Sequence, residues 1–232
     1  MGNKKLMEKS RAYRLKAFAF RTLYPLYFLH CKLNKIDCGN SGKVNINRNT
    51  HLLLVGNSKI RVRDGTFNIG KDFSYFGGSG IDPRRDNCRI HLRNSKLTIF
   101  GNVSIRVGCT IIAYDSDITI KNGTAINTST YIISKNAGIE IGENCVVAKS
   151  AVIRDSDGHR IFKEKKEITQ SKKIVIKDHC WIGEGTKIMK GVSIGSGCIV
   201  AAGAIVTKNV PDGSMVAGIP AKVIEKNIEW VR

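Results

Sequence analysis

Proline is scarce in this chain, 4 residues among 232, and so are acidic side chains: 19 Asp and Glu stand against 38 Lys and Arg, a formal charge of +19. With so few prolines, nearly every residue keeps a backbone N–H for a ladder bond. No apolar run approaches the roughly 20 residues needed to cross a bilayer. No basic start, apolar centre and small-residue cleavage site combine into a secretion signal. The 7 cysteines form no Cys-x-x-Cys pair, so the commonest zinc and dithiol motifs are missing. A reducing, cytoplasmic setting is the expectation.

What the chain does have is a beat of six. An aliphatic residue returns at Ile176, Ile182, Ile188, Ile194, Val200 and Val206, and a small or thin side chain follows four places later at Cys180, Thr186, Cys198 and Ala204. Neither a helix nor a strand has that period. It marks a solenoid of hexapeptide rungs, three to a coil, each rung stacking on the one a coil away. The beat extends back through Ile141, Val147 and Ile153, then Ile120, Ile126 and Ile132, then Ile99, Ile105 and Ile111. Starts at Ile99, Ile120 and Ile141 are 21 residues apart, three rungs plus a three-residue corner expansion, whereas Ile141 to Ile176 is 35. Residues 154–173 are therefore expected to leave the stack as a loop. Cys109, Cys145, Cys180 and Cys198 fall at the small inward position and read as core. The 23 glycines suit corners that need permissive backbone.

Three segments depart from the beat. Residues 1–40 are basic and aromatic, with Lys4, Lys5, Lys9, Arg11, Arg14 and Lys16 ahead of Leu23-Tyr24-Pro25-Leu26-Tyr27-Phe28-Leu29. They are expected to be helical, either packing on the prism or a neighbouring subunit, or lying on an anionic membrane surface through residues 1–35. The repeat proper is expected over residues 41–212. Within it, residues 44–98 are a worn version in which Ile60/Val62 and Phe67/Ile69 read as coil starts, with a surface loop from Tyr75 to Cys88. Residues 213–232 read as a cap over the last coil, anchored by Trp230.

Chemistry is expected where the regularity breaks, because a solenoid wall is passive. The excursion opens Arg154-Asp155-Ser156-Asp157-Gly158-His159. An imidazole titrating near neutrality can take the proton of a hydroxyl that attacks a carbonyl. Asp157 or Asp155 is the candidate to hold its other nitrogen. His179 lies inside a rung and reads as structural, and His30, His51 and His91 read as surface or packing residues.

Asp178-His179-Cys180-Trp181-Ile182-Gly183, Gly191-Val192-Ser193-Ile194-Gly195, Ala201-Ala202-Gly203-Ala204-Ile205-Val206-Thr207-Lys208 and Ala217-Gly218-Ile219-Pro220-Ala221-Lys222 resemble the second half of hexapeptide-repeat acetyltransferases. The Ser-Asp-Gly-His loop and the ending Asn227-Ile228-Glu229-Trp230 are most similar to bacterial capsule, O-antigen and exopolysaccharide O-acetyltransferases. The resemblance is detailed over residues 139–230, architectural over 44–138, and does not cover the first 40. It implies an all-β, left-handed parallel β-helix, a homotrimer with active sites in the grooves between subunits, and acetyl-CoA as co-substrate, with no metal. It implies His159 as general base, Trp181 lining the acetyl and acceptor pocket, Ala202, Gly203, Ala204 and Thr207 along the pantetheine arm, and Lys208 and Lys222 facing phosphates. The acceptor implied is a sugar hydroxyl of a surface glycan. Glu184 departs from the pattern, standing where a small polar residue is usual.

The charge of +19 raises nucleic acid as a partner, but the cations are spread along the chain with no aromatic-interleaved recognition module. Anionic sugars or a membrane surface fit them better. Other readings on the same scaffold are an N-acetyltransferase of a nucleotide-linked amino sugar, a serine O-acetyltransferase and a non-catalytic trimer. A three-histidine zinc site is not expected, since no His-x4-His pair occurs.

Overall fold

In the computed structural model, residues 35–47, 50–71 and 87–232 are described. The expected helix lies outside them, as does most of the loop from Tyr75 to Cys88. The described chain is all-β: parallel sheets of seven, nine and seven strands form the three faces of a prism, and a two-stranded hairpin projects from it. The first face stacks Ile36–Asp37, Lys59–Arg63, Lys96–Phe100, Ile118–Ile120, Ile139–Ile141, Ile174–Ile176 and Ser193–Ile194. The second runs from Lys43–Ile46 through Trp181–Ile182 and Ile199–Val200 to Ala221–Lys226, and the third from His51–Val55 to Ile205–Val206.

Stacking follows the beat of six. Ile120 pairs with Ile99 and Ile141, Ile141 with Ile176, and Ile176 with Ile194. Ile182 pairs with Val200 and Ile188 with Val206. All of these side chains are buried, each removing apolar surface worth about 1.5–3 kcal/mol. The first coil already begins at Ile36, which pairs with Ile60, within the segment set apart as residues 1–40.

One expectation is corrected. Ile60 and Val62 do open a coil on the first face, but Phe67 and Ile69 do not open another: they pair with Val103 and Ile105 on the second face. Asp64 and Gly65, both left-handed (φ 53° and 95°), turn a corner that takes one residue more than the next coil uses: Val62 to Ile69 is 7 residues where Ile99 to Ile105 is 6. That extra residue breaks the beat of six, and the Phe67/Ile69 alternation then imitates a new start.

The small inward position selects for more than size. Cys109 Sγ–H donates to Asn127 O at 2.9 Å, Cys180 to Gly195 O at 3.0 Å and Cys198 to Pro211 O at 2.9 Å, each reaching the next coil. Thr124 and Thr130 donate to Gly142 O and Ala148 O from equivalent positions. A slim donor thus satisfies a corner carbonyl that flat two-residue rungs leave unpaired. Burial pushes the thiols of Cys88 and Cys109 up, to about 11 and about 12.

After the last coil, Ser214–Gly218 turns back antiparallel as Ala221–Lys226, covering the end of the second face. A solenoid requires such a cap to shield its core.

Candidate active site

The projecting finger leaves at the corner between the third and first faces. Asp155, fully buried, anchors its base. Its carboxylate accepts the Ser134 hydroxyl at 2.7 Å and the N–H groups of Lys135 and Gly138 at 2.6 and 2.8 Å. Its own carbonyl accepts Lys172 N–H at 2.9 Å, closing the loop where the chain re-enters the stack. Asp155 therefore holds the finger, and its buried carboxylate is engaged by the stack rather than by the exposed His159.

Gly158, left-handed at φ 84°, turns the chain outward into exposed His159 and Arg160. Beyond them Phe162 and Lys163 pair antiparallel with Glu167 and Lys166. Glu164 and Lys165 between them are both left-handed (φ 50° and 63°), as a two-residue hairpin turn demands. Arg160 donates twice to Glu167, at 2.8 and 3.1 Å, holding that carboxyl below its usual range. Its guanidinium also lies 5.0 Å over the Phe162 ring. At the finger's base a cavity of about 430 Å³ opens, with His159 in its wall beside Lys135, Asn136, Ser156, Glu167 and Ser171. No hydrogen bond from a described residue reaches the His159 ring. Asp157 pairs with Lys190 instead.

The remaining candidates lie elsewhere on the protomer. Trp181 is 44% exposed on the second face, which lies opposite the corner that carries the finger. Ala202 and Gly203 sit at the corner between second and third faces; Ala204 is buried, its N–H and carbonyl both bonded within the stack. Beyond the α-carbons of Gly185 and Gly203, one above the other at this corner, nothing lies within 4 Å. That smooth edge suits close approach by a long, thin chain. Thr207 and Lys208 are exposed at the finger's own corner, two coils further on, and Lys222 is exposed on the outer strand of the cap. None of this set lines the His159 cavity. Glu184 is paired with Lys149 at 3.2 Å.

The spacing did not expose one cluster. Trp230 stacks flat on His179, ring centroids 4.3 Å apart at 7°, and tilts against Trp181 at 6.0 Å and 46°. Its Nε1–H donates to His179 O at 2.9 Å. The sequence reading makes Trp230 the anchor of the 213–232 cap but does not say against which residues it lands.

The pattern "Bacterial transferase hexapeptide (six repeats)" matches residues 173–208. The polysialic acid O-acetyltransferase of Escherichia coli O1:K1 / APEC is 38% identical over 62% of this chain and 44% of its own length. The chain thus spans less than half of that curated relative. The crystal structure of the polysialic acid O-acetyltransferase OatWY superposes with a TM-score of 0.60 at 25% identity, covering 82% of this chain and 88% of its own. That of the polySia-specific acetyltransferase NeuO gives 0.54 at 29% identity, over 84% and 90%. The three-faced coil and its superposition on these solved structures show the fold, a left-handed parallel β-helix, and residues 173–208 carry the bacterial transferase hexapeptide repeat.

Proposed function

We propose that the protein is an acetyl-CoA-dependent O-acetyltransferase acting on a hydroxyl of a bacterial surface polysaccharide or its precursor. One observation carries the reading: an imidazole without a hydrogen-bond partner among the described residues, on a buried-anchored finger at a prism corner opposite the face that exposes Trp181. Two such elements meet only between copies, so the working unit is a homotrimer in which His159 of one protomer faces Trp181 of the next across a groove. A heterologous, ring-closing contact of this kind generates three equal sites.

Within the groove His159 accepts the proton of the acceptor hydroxyl as its oxygen attacks the thioester carbon. The same imidazolium returns that proton to the departing sulfur, so the transfer is direct and leaves no covalent enzyme intermediate. Lys190 pairs with Asp157, and Asp157 reaches His159 only if the assembled groove offers Lys190 another anion. The smooth Gly185–Gly203 edge takes the pantetheine arm beside Ala202. Thr207, Lys208 and Lys222 supply donors and positive charge towards the phosphates. Lys163, Lys165 and Lys166 at the finger's tip, on a chain of charge +19, favour an anionic glycan.

The test is thiol release from acetyl-CoA with surface glycan as acceptor, with mass spectrometry of the product. His159→Ala is expected to lower turnover by about 10²–10⁴-fold while acetyl-CoA binding persists. Transfer at wild-type rate by that variant overturns the assignment of the base.

A further inference from the structure

The segment after the cap, Asn227–Arg232, does more than end the chain's path. It runs down a single ladder of corner residues. Gly123, Asn144, His179, Gly197 and Gly213 stack one above another between the first and second faces, and all five are left-handed, with φ of 72°, 54°, 55°, 67° and 61°. Ile228 N–H donates to Gly213 O at 3.1 Å. Trp230 lies on His179, and Arg232 donates to Gly123 O at 2.7 Å. Alternate residues of an extended strap therefore touch the ladder at its two ends and its middle.

The middle contact is the tightest. Besides the flat stack and the indole N–H bond, His179 Nε2 lies 3.0 Å from Trp230 O. Left-handed backbone favours Gly and, among other residues, Asn, Asp and His. The neighbouring rungs meet that preference with Asn144 and Gly197. His179 meets it too but alone of the three carries a ring, and that ring is what the indole rests on. Trp230, held on three sides, then presents its other flank to Trp181 at 6.0 Å. Trp181 stands 44% exposed on a sheet face, where an unsupported indole has several open rotamers.

We infer that Trp230 is a positioning residue: seated on His179, it fixes the orientation of the Trp181 indole that walls the thioester pocket. This rests on the proposed role of Trp181. A wall that must present one geometry to the reacting carbonyl gains from a second layer that locks its rotamer.

The chain has only two tryptophans, both in this cluster, so emission excited above the tyrosine absorption band reports on this cluster alone. Trp230→Ala is expected to lower kcat for acetyl transfer by about tenfold or more, with KM for acetyl-CoA changed less than about threefold. In the same variant the emission anisotropy of Trp181 falls. His179→Ala, which removes the seat but leaves both indoles, is expected to reproduce both changes, and Trp230→Phe, which keeps a ring on His179, to restore kcat in large part. A Trp230→Ala enzyme with a lower melting temperature but wild-type kcat and Trp181 anisotropy overturns the inference, the strap then being structural only. Should Trp230→Ala fail to fold, Trp230→Phe and His179→Ala carry the same two readouts. If Trp181→Ala itself transfers acetyl at the wild-type rate, the pocket assignment beneath the inference fails; if Trp181→Ala is inactive while His179→Ala is not, only the inference fails.

Discussion

Replacing Asp155 by alanine should detach the finger without dissolving the prism. The carboxylate is wholly buried and accepts three hydrogen bonds. Ser134 keeps a second partner in the Ser116 hydroxyl at 2.6 Å, so the loss falls on two backbone N–H groups, those of Lys135 and Gly138. Each buried orphan donor costs about 1–3 kcal/mol, which puts the change at about 2–6 kcal/mol before relaxation and water entry. Solenoid coils contact only their neighbours, so this destabilisation stays near the finger rather than spreading along the axis. Hydrogen exchange is the direct assay: the amides of Lys135, Gly138 and Lys172 should exchange at least tenfold faster, about 1.4 kcal/mol or more of lost protection, while those of Ile182 and Val200 keep theirs. Acetyl transfer should fall with the finger, since His159 is only four residues beyond the anchor. Asp155→Asn keeps one acceptor oxygen and should fall between the two. Unchanged exchange at Lys135 and Gly138 in the alanine variant would refute the claim that this carboxylate holds the loop.

Mixing tests the between-subunit site. His159→Ala and Trp181→Ala should each be inactive alone, yet co-refolded at equal amounts they should recover about a quarter of wild-type activity, because random assembly rebuilds that share of grooves; no recovery means both residues serve one protomer. Glu140 gives a pH signature. Hydrogen bonds from Lys121 and Lys173 hold its carboxyl below the ordinary value of 4.5, so its stabilisation is complete above that pH and is lost as pH falls through the depressed native pKa. Glu140→Gln should therefore unfold about 0.5–1 kcal/mol more easily at neutral pH, with the gap closing in acid during urea titrations at stepped pH. Cys88 and Cys109, their thiols raised by burial to about 11 and about 12, should resist a thiol reagent at pH 8 in the folded protein and react once urea unfolds it, as mass mapping of labelled peptides would show.

The architecture was legible because every rung from Ile99 to Val206 repeats one demand, an aliphatic inward, and many set a slim residue beside it. Repetition averages out local ambiguity. Where the demand weakens, as at Phe67, one extra residue at the Asp64–Gly65 corner was enough to misplace a strand by one face. The site was legible in a different measure. His159 stood out because a polar loop interrupting a passive wall calls for a reason, and the resemblance supplied one. Its partner did not stand out. Asp155 and Asp157 are equally near in sequence, yet one faces the interior and is consumed by backbone donors, and the other meets Lys190. That pairing rests on a lysine 33 residues away, which no local spacing can reveal. His179 shows the deeper limit. Its place in the hexad marks it as ordinary wall, and its importance comes from backbone handedness and from an indole 51 residues distant. A hexapeptide code describes what each coil needs from its neighbours along the axis. It is silent on anything laid across the coils from outside, so the strap that seats Trp230 could be seen only once the stack was built.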